Sequence, residues 1–250
     1  MDNREQILRK VHQLMNAYKD GLLGGEKMPE HANPGLDKSS MENYLYFTLP
    51  MALNYQRNSY TLWECANKLY HEIPMLFNCT LVLSMPENEL KELLVKYKVA
   101  LQPNKQPAIW KTLCNTFAEN FNGDVRMLFI EKGFEAASIR NYLQNNKKLF
   151  PYLSGNKICN YWLYVIEQYT DAKFADRELI TVAPDTHVIQ ASAKLGIITP
   201  AEMKNPDIQL LLAERWSRLL DGTQYVPIDV HTPMWLWSRG KFSIDISSHL

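Results

Sequence analysis

The sequence lacks the features that would settle its class at a glance. It has no excess of charge: 27 Lys and Arg balance 27 Asp and Glu, so a nucleic-acid partner would have to be held by a local basic face. It has no apolar run near the roughly 18 residues that cross a bilayer, and no membrane partner is expected. The opening MDNREQILRK predicts a charged amphipathic helix rather than a signal peptide, so the expected location is cytoplasmic. Cysteine is sparse: Cys65, Cys79, Cys114 and Cys159 lie 14, 35 and 45 positions apart, which excludes a zinc ribbon or a close iron–sulfur ligand run and predicts reduced, mostly buried thiols. Strand-like alternation is scarce and no fixed-period repeat occurs. The apolar fraction of 46% and charged fraction of 22% are those of a folded globular chain.

What is present is helical. Ile7, Leu8, Val11, Leu14, Met15 and Tyr18 recur at helical spacing over 4–19, with a stop at Gly21. A Pro- and Gly-containing loop follows to residue 40, so 1–40 is set apart as an N-terminal helix and loop arm and 41–250 as the main domain. Helical patterns are predicted over 41–53, 59–71, 88–99, 107–121, 136–145 and 156–169. Pro184-Asp185, Thr199-Pro200 and Asn205-Pro206 each supply a helix start. An all-α fold of roughly ten to twelve helices follows from the chain length and the usual helix length.

Three segments could carry chemistry. Leu153-Ser154-Gly155-Asn156-Lys157 leads into a helix, and the backbone N–H groups at such a start can hold a phosphate. Lys157 would sit at the positive end of that helix, which disfavours a protonated amine and suits a nucleophile; a solvated lysine at an ordinary cap is the alternative. Next, Asp185 in Val182-Ala183-Pro184-Asp185-Thr186-His187 can cap a helix with one carboxylate oxygen and turn the other toward a reacting centre. Its alternative is a plain N-cap. Finally, Trp235 and Trp237 lie close to Asp229 and His231 and could wall a flat ring and bond its edge, or could simply pack. Asp185-x-His187 and Asp229-x-His231 could also offer carboxylate and imidazole ligands to a divalent metal, although no further His cluster supports such a site.

In chain order, a loop lysine followed 28 residues later by a Pro-Asp-x-His cap resembles the core of the helix-hairpin-helix DNA glycosylase superfamily, and within it the archaeal-type 8-oxoguanine DNA glycosylase (AGOG) family. Asn54-Tyr55-Gln56-Arg57 with Trp63 is similar to that family's Tyr-Gln segment followed by a Trp, and Pro227–Trp237 to its closing Ile-Asp plus Trp element. The resemblance spans roughly residues 50–240. It implies two helical subdomains with a helix-hairpin-helix core and the active site in the cleft between them. It further implies Lys157 as Schiff-base nucleophile, Asp185 as catalytic carboxylate, Gln56 as a reader of the purine edge and Trp235 stacked on the base. The pocket's polar residue is Asp229 or His231, and Trp110 would be a second wall. Gly155, Asn156, Lys147 and Lys148 would hold the DNA backbone. The implied protein is a cofactor-free, metal-free monomer acting on DNA that carries a damaged base, as a bifunctional glycosylase and AP lyase. A non-catalytic nucleic-acid or protein-binding helical module, favoured by the single hairpin glycine and the neutral charge, and a metal-dependent hydrolase built on the two D-x-H units are the rival readings.

Overall fold

The computed structural model describes residues 3–24 and 27–246; the parts of the predicted segments at 1–2, 25–26 and 247–250 lie outside the described residues. Among the described residues every regular element is helical, so the all-α expectation holds. There are twelve α-helices: α1 (Asn3–Lys19), α2 (Met41–Thr48), α3 (Ser59–Glu72), α4 (Cys79–Ser84), α5 (Glu87–Lys96), α6 (Gln106–Phe121), α7 (Val125–Glu131), α8 (Ala136–Asn145), α9 (Asn156–Tyr169), α10 (Thr186–Leu195), α11 (Ile208–Leu220) and α12 (His231–Arg239). None is long and apolar enough to cross a membrane.

The chain divides into two compact units, residues 1–27 with 178–250 and residues 28–177. The segment 1–40 is thereby shared, its helix belonging to the first unit and residues from Met28 onward to the second.

In the first unit α1 packs against α10, α11 and α12, and α10 lies along α12. The apolar stripe read in α1 buries Val11, Leu14 and Met15. Trp216 of α11 has no exposed surface, and its indole N–H donates to Ser192 Oγ at 3.0 Å, so burial of the ring leaves no orphaned donor. Asp185 starts α10, and Gly196 ends it at φ +91°, a left-handed conformation that a side chain resists. Thr199-Pro200 makes a real cap, with Glu202 Oε2 accepting from the Thr199 N–H at 2.8 Å, but only a 3-10 turn follows (Glu202–Lys204) because Pro206 lies directly beyond.

The second unit is built around aromatic rings. Trp63, Trp110, Trp162, Tyr46, Phe77 and Phe117 are fully buried there, where α2 meets α7 and α9, and α6 meets α4, α5 and α7. The helix expected over 41–53 breaks at Pro50 into α2 and a 3-10 turn, Met51–Leu53. Ser40 and Asn58 cap α2 and α3, accepting from the Asn43 and Thr61 N–H groups at 3.2 and 3.3 Å. Cys79, Cys114 and Cys159 are buried free thiols and Cys65 is half-buried, as the wide spacing predicts.

Candidate functional site

Asp185 is the best-defined sequence-predicted residue in the first unit. Val182, Ala183 and Pro184 are buried and deliver Asp185 to the start of α10 in extended geometry. Its Oδ1 accepts from the Val188 N–H at 2.9 Å, the helix cap. Its Oδ2 accepts from Trp235 Nε1–H at 3.0 Å, across 50 residues of sequence. Each oxygen therefore has its own donor, one backbone and one indole, which fixes the plane of the carboxylate. The N-cap reading of Asp185 holds, and its other oxygen, expected to face a reacting centre, is taken by the Trp235 indole.

Trp235 projects from α12 and is buried. The His187 ring meets it edge-on at 5.3 Å between centroids, and the Arg239 guanidinium lies 5.3 Å from the ring centre. With Trp235 only 8% exposed, a flat ring stacked on it must displace a neighbour such as the Arg239 guanidinium. His231 is buried one turn earlier, and its Nδ1 accepts from the Ala183 N–H at 3.4 Å, so the imidazole braces the backbone two residues before Asp185. An accepting Nδ1 places the ring proton of a neutral imidazole on Nε2. Asp229 is half-buried and accepts from the Val226 N–H at 2.9 Å, capping the 3-10 turn Pro227–Val230 that leads into α12.

Gln190 and Ser238, which the motif reading leaves without a role, complete this face with His187. Ser238 Oγ donates to Gln190 Oε1 at 3.0 Å, so His187 Nδ1, 3.2 Å from the same Oγ, is the donor in that contact. His187 and Gln190 lie three apart on α10, and Trp235 and Ser238 three apart on α12, so one face of each helix carries the network. That spacing was readable, but only with 231–239 taken as a helix.

In the second unit α8, a ten-residue connection (146–155) and α9 form a packed helix–loop–helix. Lys147 and Lys148 are exposed in the connection. Gly155 is exposed and extended (φ −68°, ψ 137°) as the N-cap of α9, and a Cβ there would approach the Tyr152 carbonyl to 3.3 Å. Asn156 is exposed, with Oδ1 accepting from Gln144 Nε2, and Lys157, the second residue of α9, is half-buried. Gln56 is exposed at φ 51°. Trp110 corrects the expectation of a second pocket wall. It has no exposed surface, it donates to the Leu76 carbonyl at 3.0 Å, and it packs edge-on with Phe77 at 5.3 Å. An amphipathic helix turned its largest ring into the core, and no face is open to a ligand.

Lys157 and Gln56 thus belong to one unit, and Asp185, Asp229, His231 and Trp235 to the other. Among the described residues no three His, Cys, Asp or Glu side chains group in a way that could hold a metal ion, so the two D-x-H units do not assemble a donor set. A cavity of about 370 Å³ in the first unit, lined by Lys10, Lys194, Trp237 and Phe242 among others, takes in Trp237 of the candidate aromatic wall but not Asp185, Asp229, His231 or Trp235. No family model matches the chain, and no curated protein matches it.

Proposed function

We propose that this chain is a base-excision repair enzyme of the helix-hairpin-helix type, a bifunctional DNA glycosylase and AP lyase that removes 8-oxoguanine from DNA through a lysine Schiff base. The observation that carries the reading is the 3.0 Å hydrogen bond between Trp235 and Asp185. Both residues were assigned to one active site from separate stretches of sequence, and in the first unit they touch. The helix–loop–helix of α8 and α9 supports it as the hairpin, with Lys147, Lys148, Gly155 and Asn156 set to hold the backbone phosphates.

The chemistry runs as follows. A base inside a duplex is out of reach, so the nucleotide is extruded at a cost of a few kcal/mol, and aromatic stacking and edge contacts offset that cost. Trp235 supplies the ring. Gln56, with Asp229 or His231, supplies directional partners. An acceptor facing N7 separates 8-oxoguanine, which has a hydrogen there, from guanine, which has none and would leave two acceptors opposed. The neutral Lys157 amine attacks C1′, forming the N–C bond as the glycosidic bond breaks and the base departs with its electron pair. Asp185 stabilises the positive charge that grows on the sugar. Ring opening gives the imine, and loss of a C2′ proton expels the 3′ phosphate.

Borohydride trapping on an 8-oxoguanine duplex tests this. Wild type should give a covalent adduct and Lys157→Gln none. Equal trapping in both, or none with wild type, refutes the assignment. DNA binding without base release would favour the non-catalytic module.

A further inference from the structure

The second unit carries a pair of stacked tyrosines that the excision chemistry leaves without a role. Three of its segments, 43–63, 93–118 and 136–166, contain no Asp or Glu at all, while carrying one, four and four Lys or Arg. The remainder of the neutral chain is left with 18 cations against 27 acids. The fold brings these segments together. Arg57 donates to the Val99 and Lys98 carbonyls at 2.6 and 2.9 Å, joining the first to the second, and Thr116 Oγ1 donates to the Leu149 carbonyl at 2.8 Å, joining the second to the third. Two outside carboxylates reach the second segment: Glu87 lies 3.3 Å from Lys111, and Glu72 accepts from the Tyr97 hydroxyl.

All three segments meet at a pair of tyrosines. The rings of Tyr55 and Tyr152 are parallel within 8° at a centroid distance of 4.0 Å, and the Lys105 ammonium lies 4.8 Å from the centre of one and 5.7 Å from the other. Both rings are half-exposed and Lys105 is exposed. Tyr55 also reaches Gln102 Oε1 at 3.4 Å. Tyr152 and Gln56, the neighbour of Tyr55, take φ of 62° and 51°, the left-handed region that a side-chain-bearing residue rarely adopts. The connection before α9 thus holds an aromatic ring in a strained position, parallel to a second ring and beside an ammonium group.

We propose that the Tyr55–Tyr152 pair is a stacking step for an unpaired base, with Lys105 and the acid-free segments around it holding the phosphates of the same strand. The proposal rests on the reading of DNA as the ligand, and it adds that this surface takes a single strand or an unpaired nucleotide rather than intact duplex. A parallel phenol pair offers a flat ring a stack to extend, whereas paired bases already cover one another's faces. Unlike the excision chemistry, it needs neither a damaged base nor Lys157.

The test is fluorescence anisotropy with a labelled, undamaged oligothymidylate and with a duplex of the same length, using the full chain at two salt concentrations. Wild type should bind the single strand more tightly. Tyr152→Ala and Tyr55→Ala should each weaken that binding by about 5- to 100-fold, Tyr152→Phe by less than about twofold, and Lys105→Gln should shallow the salt dependence by about 0.7 in the log–log slope. Circular dichroism and urea midpoints identify a variant that fails to fold, and the second alanine variant then decides. Unchanged binding in a folded alanine variant, an equal loss in Tyr152→Phe, or no single-strand binding by wild type overturns the stacking step. Should Lys157 trapping fail while the tyrosine dependence holds, the excision reading falls and the stacking step stands. Should trapping succeed while folded Tyr152→Ala binds as wild type does, the stacking step falls alone.

Discussion

Glu30 gives a prediction that depends on no functional assignment. It sits in the 3-10 turn Pro29–His31 with 1% of its surface exposed. Neither Oε1 nor the Trp63 indole nitrogen has a hydrogen-bond partner of full geometry. Burial pushes the carboxyl from 4.5 up to about 7, with the residue's own backbone, Tyr161 and Trp63 holding the rise back only in part. In the unfolded chain the group titrates near 4.5 and in the folded one near 7, so between those values the native state holds a proton that the unfolded state has released. Stability from this group is therefore complete below pH 4.5 and is lost as pH rises through 7. A shift of that size corresponds to about 3 kcal/mol.

Glu30→Gln keeps the shape and an acceptor but cannot ionise. Relative to wild type the variant should be nearly neutral at pH 4.5 and more stable by about 3 kcal/mol at pH 8. Urea unfolding followed by tryptophan fluorescence at several pH values reads the difference, and subtraction removes the histidines common to both proteins. A wild-type-minus-variant difference that stays flat from pH 4.5 to pH 8 would refute the buried, proton-holding carboxyl.

Two further substitutions probe the first unit. Trp235→Phe keeps an aromatic ring but deletes the pyrrole half of the buried indole with the N–H that holds Asp185 Oδ2, and should lower the urea-derived stability by about 1–3 kcal/mol or more, from the lost bond and the lost volume together; an unchanged midpoint would show that neither contributes. Gly196→Ala, at φ +91° with only Ile7 Cγ1 near the new methyl at 4.0 Å, should cost about 1 kcal/mol through backbone strain rather than a clash, read as a lower thermal midpoint.

Local periodicity carried most of the helical reading, and its failures have physical causes. The helices α3, α8 and α9 fall where apolar spacing and caps put them; α3 and α8 each bury a single stripe, while α9 is buried all round from Trp162 to Glu167. By contrast, α12 was read as an aromatic wall: Pro233 and two tryptophans hide a helix whose proline sits in the first turn, where a missing N–H does no harm. Helix α7 is a short element between Gly123 and Gly133, too brief for two full turns of pattern. Trp110 shows the converse limit. Spacing says that a residue lies on the buried face of a helix, but a ring facing a ligand pocket and a ring facing the core have the same spacing. The Trp235–Asp185 bond lay beyond periodicity altogether, because a contact across 50 residues has no local signature. Only the resemblance placed those two residues in one site.

The neutral composition bears on the proposed ligand in a more instructive way. A net charge of zero argues against a polyanionic ligand only where charges of both signs are mixed within a screening length, about 8 Å at physiological ionic strength. The second unit fails that condition. It carries 16 Lys and Arg against 15 Asp and Glu, yet nine of those cations lie in segments with no acid, leaving seven against 15 elsewhere in the unit. With the far field near zero and the Lys105 ammonium 4.8 and 5.7 Å from the centres of the two tyrosine rings, phosphate at the proposed stacking step is selected at contact rather than at long range. Association should accordingly be slower than for a uniformly basic protein, and the salt dependence should reside in the acid-free segments. Neutralising Lys27 or Arg4 of the first unit should leave the salt slope of single-strand binding unchanged, whereas neutralising Lys105 should reduce it; an equal loss from both would mean that the field is global after all.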